Sequence, residues 1–252
     1  MDVFTGIIEL STIGTKNRDF GRDVIPAMLE GGARVYGYRF DGYWQDVGTI
    51  QSFWEANMAL LEDEPELDLY DPEWVIHTRS EERAPAKVGP TAQVHRSLVS
   101  HGCIINGTVV NSVLSPGVRV DVGAVVRDSI VMFDSVIRSG AVVDRAILDK
   151  EVVVGQGAIV GNGPYDDRPN RQEPTRLNTG ITVVGKRAVV PRGTRLGRNV
   201  KVAEDVRISD WTKKVIKSGE SVEMKAGVRH AHDHGRAVGV GPVSGAAAQG
   251  RS

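Results

Sequence analysis

The chain has 252 residues, 40% of them hydrophobic, with 31 Lys plus Arg against 32 Asp plus Glu and a formal net charge of −1. That length supports one large domain or two modest ones with a real core, and the balanced charge leaves no global field to recruit nucleic acid or an anionic membrane. No run approaches the roughly 20 apolar residues that cross a bilayer, Met1-Asp2-Val3-Phe4 lacks the marks of a secretion signal, and Cys103 is the only cysteine, so the expectation is a soluble protein of a reducing, cytoplasmic compartment.

Residues 1–61 read as mixed α/β. The stretch Asp19-Phe20-Gly21-Arg22-Asp23-Val24-Ile25-Pro26 opens a short helix, with acidic residues and a tolerated proline in its first turn, and Gly31-Gly32 stops it. Arg34 to Phe40 alternates with the period of a half-buried strand, Val35, Gly37 and Arg39 on one side and Tyr36, Tyr38 and Phe40 on the other. After Gly48, Thr49 is placed to cap a helix whose Ile50, Phe53, Trp54, Met58 and Leu61 fall three and four apart, giving one apolar face. Residues 62–87, with Pro65, Pro72 and Pro85, read as a linker with one short strand at Trp74-Val75-Ile76.

From about residue 88 the chain repeats. Three units, 109–124, 125–141 and 142–158, each open on a Val-Val pair and close on Gly-Ala, and each divides into three short strands. Farther on, Val184, Val190, Leu196, Val202 and Ile208 stand six residues apart, and Gly185, Pro191, Gly197 and Ala203 follow four of them. Three six-residue sides close one coil of a triangular prism in which the leading aliphatic points inward and stacks on its counterpart in the next coil. An antiparallel sandwich is the competing fold, and the sustained spacing of six disfavours it. Residues 162–180, polar and Pro-rich, interrupt the coils as a loop. Residues 211–252 read as an extension and a flexible tail.

The stretch 19–26, the run Tyr43-Trp44-Gln45-Asp46-Val47-Gly48-Thr49 leading into Ser52-Phe53-Trp54-Glu55-Ala56-Asn57-Met58, and the hexapeptide coils together resemble the glucose-1-phosphate adenylyltransferases over residues 18 to about 210. The resemblance implies a mainly β chain: a left-handed parallel β-helix over 88–210 with a loop insertion at 162–180, preceded by a partial α/β, Rossmann-like nucleotidyltransferase segment. It also implies a reaction of ATP with glucose 1-phosphate that gives ADP-glucose and diphosphate, an Mg²⁺ cofactor, a homo-oligomer (a tetramer in the family) and a sugar-phosphate effector. By that resemblance Asp46 is a metal ligand, and Asp19, Phe20 and Trp44, with Asp46, border the sugar-phosphate pocket. A hard cation bridging the phosphates needs carboxylate oxygens, which is the chemistry Asp46 would supply. Read from the residues alone, Asp46 is a cap for the helix that begins near Thr49.

The family's Gly-rich nucleotide loop, its second metal-binding Asp and its sugar-phosphate Lys are not matched here. Residues 1–18 carry only Gly6 and Gly14, and Lys16 lacks the family's context. The expectation is a truncated form without activity by itself, or a regulatory subunit in a hetero-oligomer with a full-length paralogue. A hexapeptide acyltransferase is the third reading, with His95 and His101 as its only candidate catalytic groups.

Eight cations lie close together: Arg168, Arg171 and Arg176 in the loop, then Lys186, Arg187, Arg192, Arg195 and Arg198 on the coils. Charged side chains outside a prism are ordinary, yet an Arg fork suits a phosphate, and the resemblance implies an anionic effector in this region. Arg168, Arg171, Arg176, Lys186 and Arg187 are the candidate effector ligands. His230, His232 and His234 read as a solvated His-rich tail rather than a metal site, 239–245 as a flexible terminus rather than a phosphate loop, and Cys103 as a small buried apolar residue.

Overall fold

The computed structural model describes residues 19–76, 82–164 and 168–225. The histidines at 230, 232 and 234, the glycine-rich 239–245 and residues 1–18 lie outside them. The chain divides into two compact units, with the break between Trp44 and Gln45.

In the first unit a π-helical turn, Phe20–Val24, runs into helix α1, Ile25–Glu30. The Asp19 carboxylate accepts the Arg22 amide at 2.7 Å, and Pro26 occupies the first turn of α1, where its missing N–H costs nothing. The chain leaves the helix at Gly31 and at Gly32, whose φ is 73°. The strand expected over Arg34 to Phe40 does not form: these residues carry no regular structure, and no described segment pairs with them. Alternation supplies the two faces of a strand, but a lone ribbon has no ladder to hold it.

In the second unit, three parallel sheets of six, seven and seven strands wrap one core. Strands two or three residues long, beginning with Lys87–Val88 and ending with Ser221–Val222, pair with the strand on the same face of the next coil. The register stacks like on like: Ile105 on Val120, Val120 on Ile137, Ile137 on Val154, and Val154 on Val190. Because side chains alternate across a strand, the second residue of each pair points inward. Ile105, Val120, Ile137, Val154, Val190, Leu114, Val131 and Leu196 are fully buried. Ala124, Ala141 and Ala158 fill the tight corners between faces. This is a parallel β-solenoid, mainly β as expected, and its paired strands run past residue 210.

Val184, Val190, Leu196 and Val202 face inward, but Ile208 is 64% exposed. It opens a 3₁₀ turn, Ile208–Asp210, and the coil is lengthened there so that Leu196 pairs with Ile216. The short strand expected at Trp74-Val75-Ile76 is also missing, and all three side chains are exposed. Cys103 is fully buried; its Sγ–H donates to the Ser115 carbonyl, and burial pushes its thiol up from the usual range.

One corner of the solenoid is built on non-glycine residues in the left-handed region: Arg96, Asn111, Asp128 and Arg145 have φ of 42, 46, 48 and 46°. Serines beside them accept the backbone groups that the corner exposes. The Ser129 amide donates to Ser112 Oγ at 3.2 Å and the Ala146 amide to Ser129 Oγ at 3.1 Å. Each bend is thus satisfied by the coil before it.

Helix α2, Ile50–Ala59, packs on the third face. Thr49 caps it, accepting the Ser52 amide at 3.0 Å while Ser52 Oγ accepts the Thr49 amide in return. Its Phe53, Trp54 and Met58 cover Ile130, Ile147 and Ile181 in a second apolar cluster, so outward-facing isoleucines of that sheet are buried. The left-handed corner serves as the rail for this helix. Arg96 Nε donates to the Leu61 carbonyl at 3.2 Å, the Trp54 indole donates to the Asp128 carbonyl at 2.9 Å, and the Arg145 guanidinium lies 4.3 Å from the Trp54 ring centre. No helix among the described residues is long and apolar enough to cross a membrane.

Candidate functional site

From residue 168 onward, the loop that precedes Thr182 lies against the coils. Its anchor is Asn170, fully buried, whose Nδ2 reaches the Asn199 and Glu220 carbonyls at 3.0 and 3.1 Å and whose Oδ1 accepts the Gln172 amide at 2.9 Å. Asn199 holds the two ends of the loop: its Nδ2 donates to the Arg168 carbonyl at 2.8 Å and its Oδ1 accepts the Gly180 amide at 2.7 Å. Gly219 has φ 76°, and a Cβ there would sit 2.6 Å from the Pro169 carbonyl, so only glycine lets the loop approach. Leu177 is buried under the loop at 1% exposure.

Between this loop, the start of α2 and the third face of the solenoid runs a groove of about 670 Å³. Ile50, Phe53, Ile147 and Leu177 form its apolar floor; Arg176, Lys186 and Lys201 bring cations, and Glu173, Asp149 and Glu204 bring carboxylates. Val47, Gly48 and Thr49 make one wall. The Glu173 carboxylate stands between two of the cations, 3.6 Å from Lys201 Nζ and 3.9 Å from Arg176. Lys186 Nζ is 3.9 Å from Glu151. These are loose, solvent-facing pairs, each worth little, and an anion with better geometry can displace them.

The other expected effector ligands are placed differently. Arg187 is committed to a two-pronged pair with Asp205, both contacts at 2.6 Å, and that hydrogen bond raises its pKa further. Arg168 and Arg171 are exposed but do not line the groove. Arg198, counted in the same cluster, is nearly buried and holds the Asp144 carboxylate at 3.1 Å. Lys201 was not singled out by the sequence reading, because only the folded loop brings Glu173 and Arg176 to it.

Of the residues expected around the sugar phosphate, Asp19, Phe20 and Trp44 belong to the first unit and Asp46 to the second. Asp19 is occupied as a cap, Phe20 is 54% exposed and Trp44 is 75% exposed. Asp46 is exposed, and its Oδ1 accepts the Gly48 amide at 2.9 Å. That turns the chain into α2, while the cap itself is Thr49. A divalent cation needs several oxygen ligands at once, and among the described residues no group of three or more His, Cys, Asp or Glu side chains is arranged to hold one. The described residues thus form no all-protein cage for a metal ion, which a magnesium ion does not require, since it keeps several waters and takes one or two carboxylates beside substrate phosphates.

Residues 2–63 match the nucleotidyl transferase family model, and residues 84–184 match the model described as GlmU-like, C-terminal hexapeptide. The chain is 64% identical over 211 residues to a glucose-1-phosphate adenylyltransferase of Thermomicrobium roseum, covering 83% of this chain and 49% of that protein. The enzymes of the same name from Acetivibrio thermocellus and Thermotoga maritima are 44% and 42% identical over 209 and 220 residues, covering 83% and 87% of this chain and 48% and 52% of theirs. The chain spans about half the length of the curated relatives it matches. Over the half it shares with them, the chain belongs to the glucose-1-phosphate adenylyltransferase family.

Proposed function

We propose that this chain forms the solenoid-bearing, regulatory and assembly part of a glucose-1-phosphate adenylyltransferase. In the whole enzyme a phosphate oxygen of glucose 1-phosphate attacks the α-phosphorus of ATP, diphosphate leaves, and ADP-glucose is the product, a precursor for glycogen or starch. The identity to relatives of that name supports this reading. Asp46 would be one contributor to magnesium binding there, beside substrate phosphates and water. A cytoplasmic homo-oligomer is the expected assembly; a hetero-oligomer with a full-length paralogue is the alternative. The acyltransferase reading gains nothing from the relatives, which carry the adenylyltransferase name.

The groove is the observation that carries the regulatory role. It joins three cations to an apolar floor, and its wall begins one residue after Asp46. A sugar bisphosphate such as fructose 1,6-bisphosphate, or fructose 6-phosphate, suits those donors, with Arg176 giving a planar fork and Lys186 and Lys201 point charges. On a partly exposed surface, two or three such contacts correspond to micromolar to millimolar affinity that falls with salt. Calorimetry at low salt tests this: Arg176→Ala and Lys186→Ala should each weaken binding several-fold, and Glu173→Gln should tighten it by removing the internal competitor. Equal affinity in all four proteins would show the cluster to be only a solvated face. The purified chain should not turn over ATP and glucose 1-phosphate; if a nucleotide-binding segment from a relative restores turnover, Asp46→Asn should abolish it.

A further inference from the structure

We propose that Arg145 is a positioning residue that couples the 168–180 loop to helix α2, so that the state of the loop is felt at the segment carrying Asp46. The proposal rests on the groove being the effector site. Arg145 belongs to the left-handed corner that receives α2, and it alone among the four residues of that corner also holds the loop: its Nη2 donates to the Thr179 carbonyl at 3.3 Å while its guanidinium lies 4.3 Å from the Trp54 ring centre. Trp54 is itself fixed to the rail by its indole bond to the Asp128 carbonyl. One planar cation thus closes a bridge from loop to helix. The same loop presents Arg176 and Glu173 to the groove, and the same helix is capped by Thr49, three residues after Asp46.

The physical basis is a shared, partly desolvated cation. An Arg stacked on an indole is held by the ring's negative face and still has edge N–H groups to donate. If the loop lifts, Thr179 leaves and the guanidinium is no longer fixed from both sides, so its hold on Trp54 weakens; if the loop is fastened by an anion across Arg176 and Lys186, the hold strengthens. Reciprocity follows, because a coupling free energy acts equally in both directions. The backbone at Arg145, with φ 46°, is unfavourable for a bulky residue without a compensating contact, and these two contacts compensate it.

A ligand-free double-mutant cycle tests the coupling by hydrogen exchange of the α2 amides in the full chain. Asn170→Ala frees the loop at a distance from α2. It should speed exchange across 50–59 about fivefold or more, and should add nothing further once Arg145→Ala is present. If Asn170→Ala leaves α2 exchange unchanged, or the two effects simply multiply, Arg145 is not the link and the proposal is wrong. Arg145→Lys covers the case in which Arg145→Ala fails to fold. An ammonium cannot both stack on Trp54 and reach Thr179, so the same loss of coupling is expected. A second arm adds fructose 1,6-bisphosphate: in the wild type it should slow α2 exchange and shift the Trp54 indole resonance, whereas Arg145→Ala should bind within about twofold yet show neither change. Transmission that survives Arg145→Ala overturns the proposal. Absence of binding to the wild type with the cycle intact sinks the effector reading and leaves the coupling standing.

Discussion

The buried amide of Asn170 donates to the backbone carbonyl of Asn199 at 3.0 Å, and the Asn199 side chain in turn holds both the Arg168 carbonyl and the Gly180 amide. Two asparagines therefore fasten a loop whose described residues form no strand. A buried polar group left without its partner costs about 1–3 kcal/mol. Asn170→Ala removes the donor to two carbonyls and the acceptor for the Gln172 amide. We expect Tm to fall by about 3–10 °C for a chain of this size, with new proteolytic cleavage within 168–180 while the strands stay protected. An unchanged Tm and an uncut loop would show that the amide is not the anchor.

Val190 and Ile208 occupy equivalent places in the six-residue spacing, yet Val190 is fully buried and Ile208 is 64% exposed. Val190→Asp places a charge in the stacked core, where no partner can reach it, and a penalty of several kcal/mol meets a total stability that is itself of order 10 kcal/mol. Circular dichroism should show Val190→Asp unfolded or strongly destabilised. Ile208→Asp should melt within a few degrees of the wild type, because exposed substitutions away from special features fall within about 0.5 kcal/mol. Similar melting for both variants would mean that the interior column is wrongly placed.

The stacked core was legible because a solenoid repeats its burial pattern: Val184, Val190, Leu196 and Val202 carry the same physical demand at the same interval. Ile208 broke the interval because a period in sequence cannot distinguish an inward position from the first residue of a turn, and here Asp210 accepts the Arg207 amide to close that turn. The Arg34 to Phe40 alternation names two candidate faces but no partner strand, and all seven residues are exposed. The left-handed corner gave only a weak signal, Asn111 and Asp128 being residue types that tolerate positive φ, while Arg96 and Arg145 gave none. For the candidate site, Arg176 and Lys186 were readable as loose cations near an expected loop. Arg187 and Arg198 were not separable from them, since their carboxylate partners, Asp205 and Asp144, are settled only by the winding of the coils.

Glu220 closes the last described coil by a pair with Lys213. Its Oε2 takes the Lys213 ammonium at 2.7 Å and the Lys217 amide at 2.9 Å, and its backbone carbonyl accepts from Asn170. The hydrogen bond from Lys213 is the main influence holding its carboxyl below the ordinary value of 4.5, opposed in part by burial. A carboxyl whose folded pKa is lowered binds its proton more tightly in the unfolded chain, so its contribution is fully present above the unfolded value and is lost as pH falls through the folded one. Glu220→Gln abolishes that titration without changing shape. At neutral pH the wild type should melt a few degrees higher, since a mostly surface pair contributes about 1 kcal/mol or less. The gap should narrow below about pH 4.5 and close once the wild-type carboxyl is protonated. Lys213→Met, which leaves Glu220 without its ammonium, should reduce the gap at neutral pH and bring its closure to higher pH. A difference between wild type and Glu220→Gln that stays constant from pH 7 to pH 3 would show that the Lys213 pair adds nothing to the closure of the solenoid.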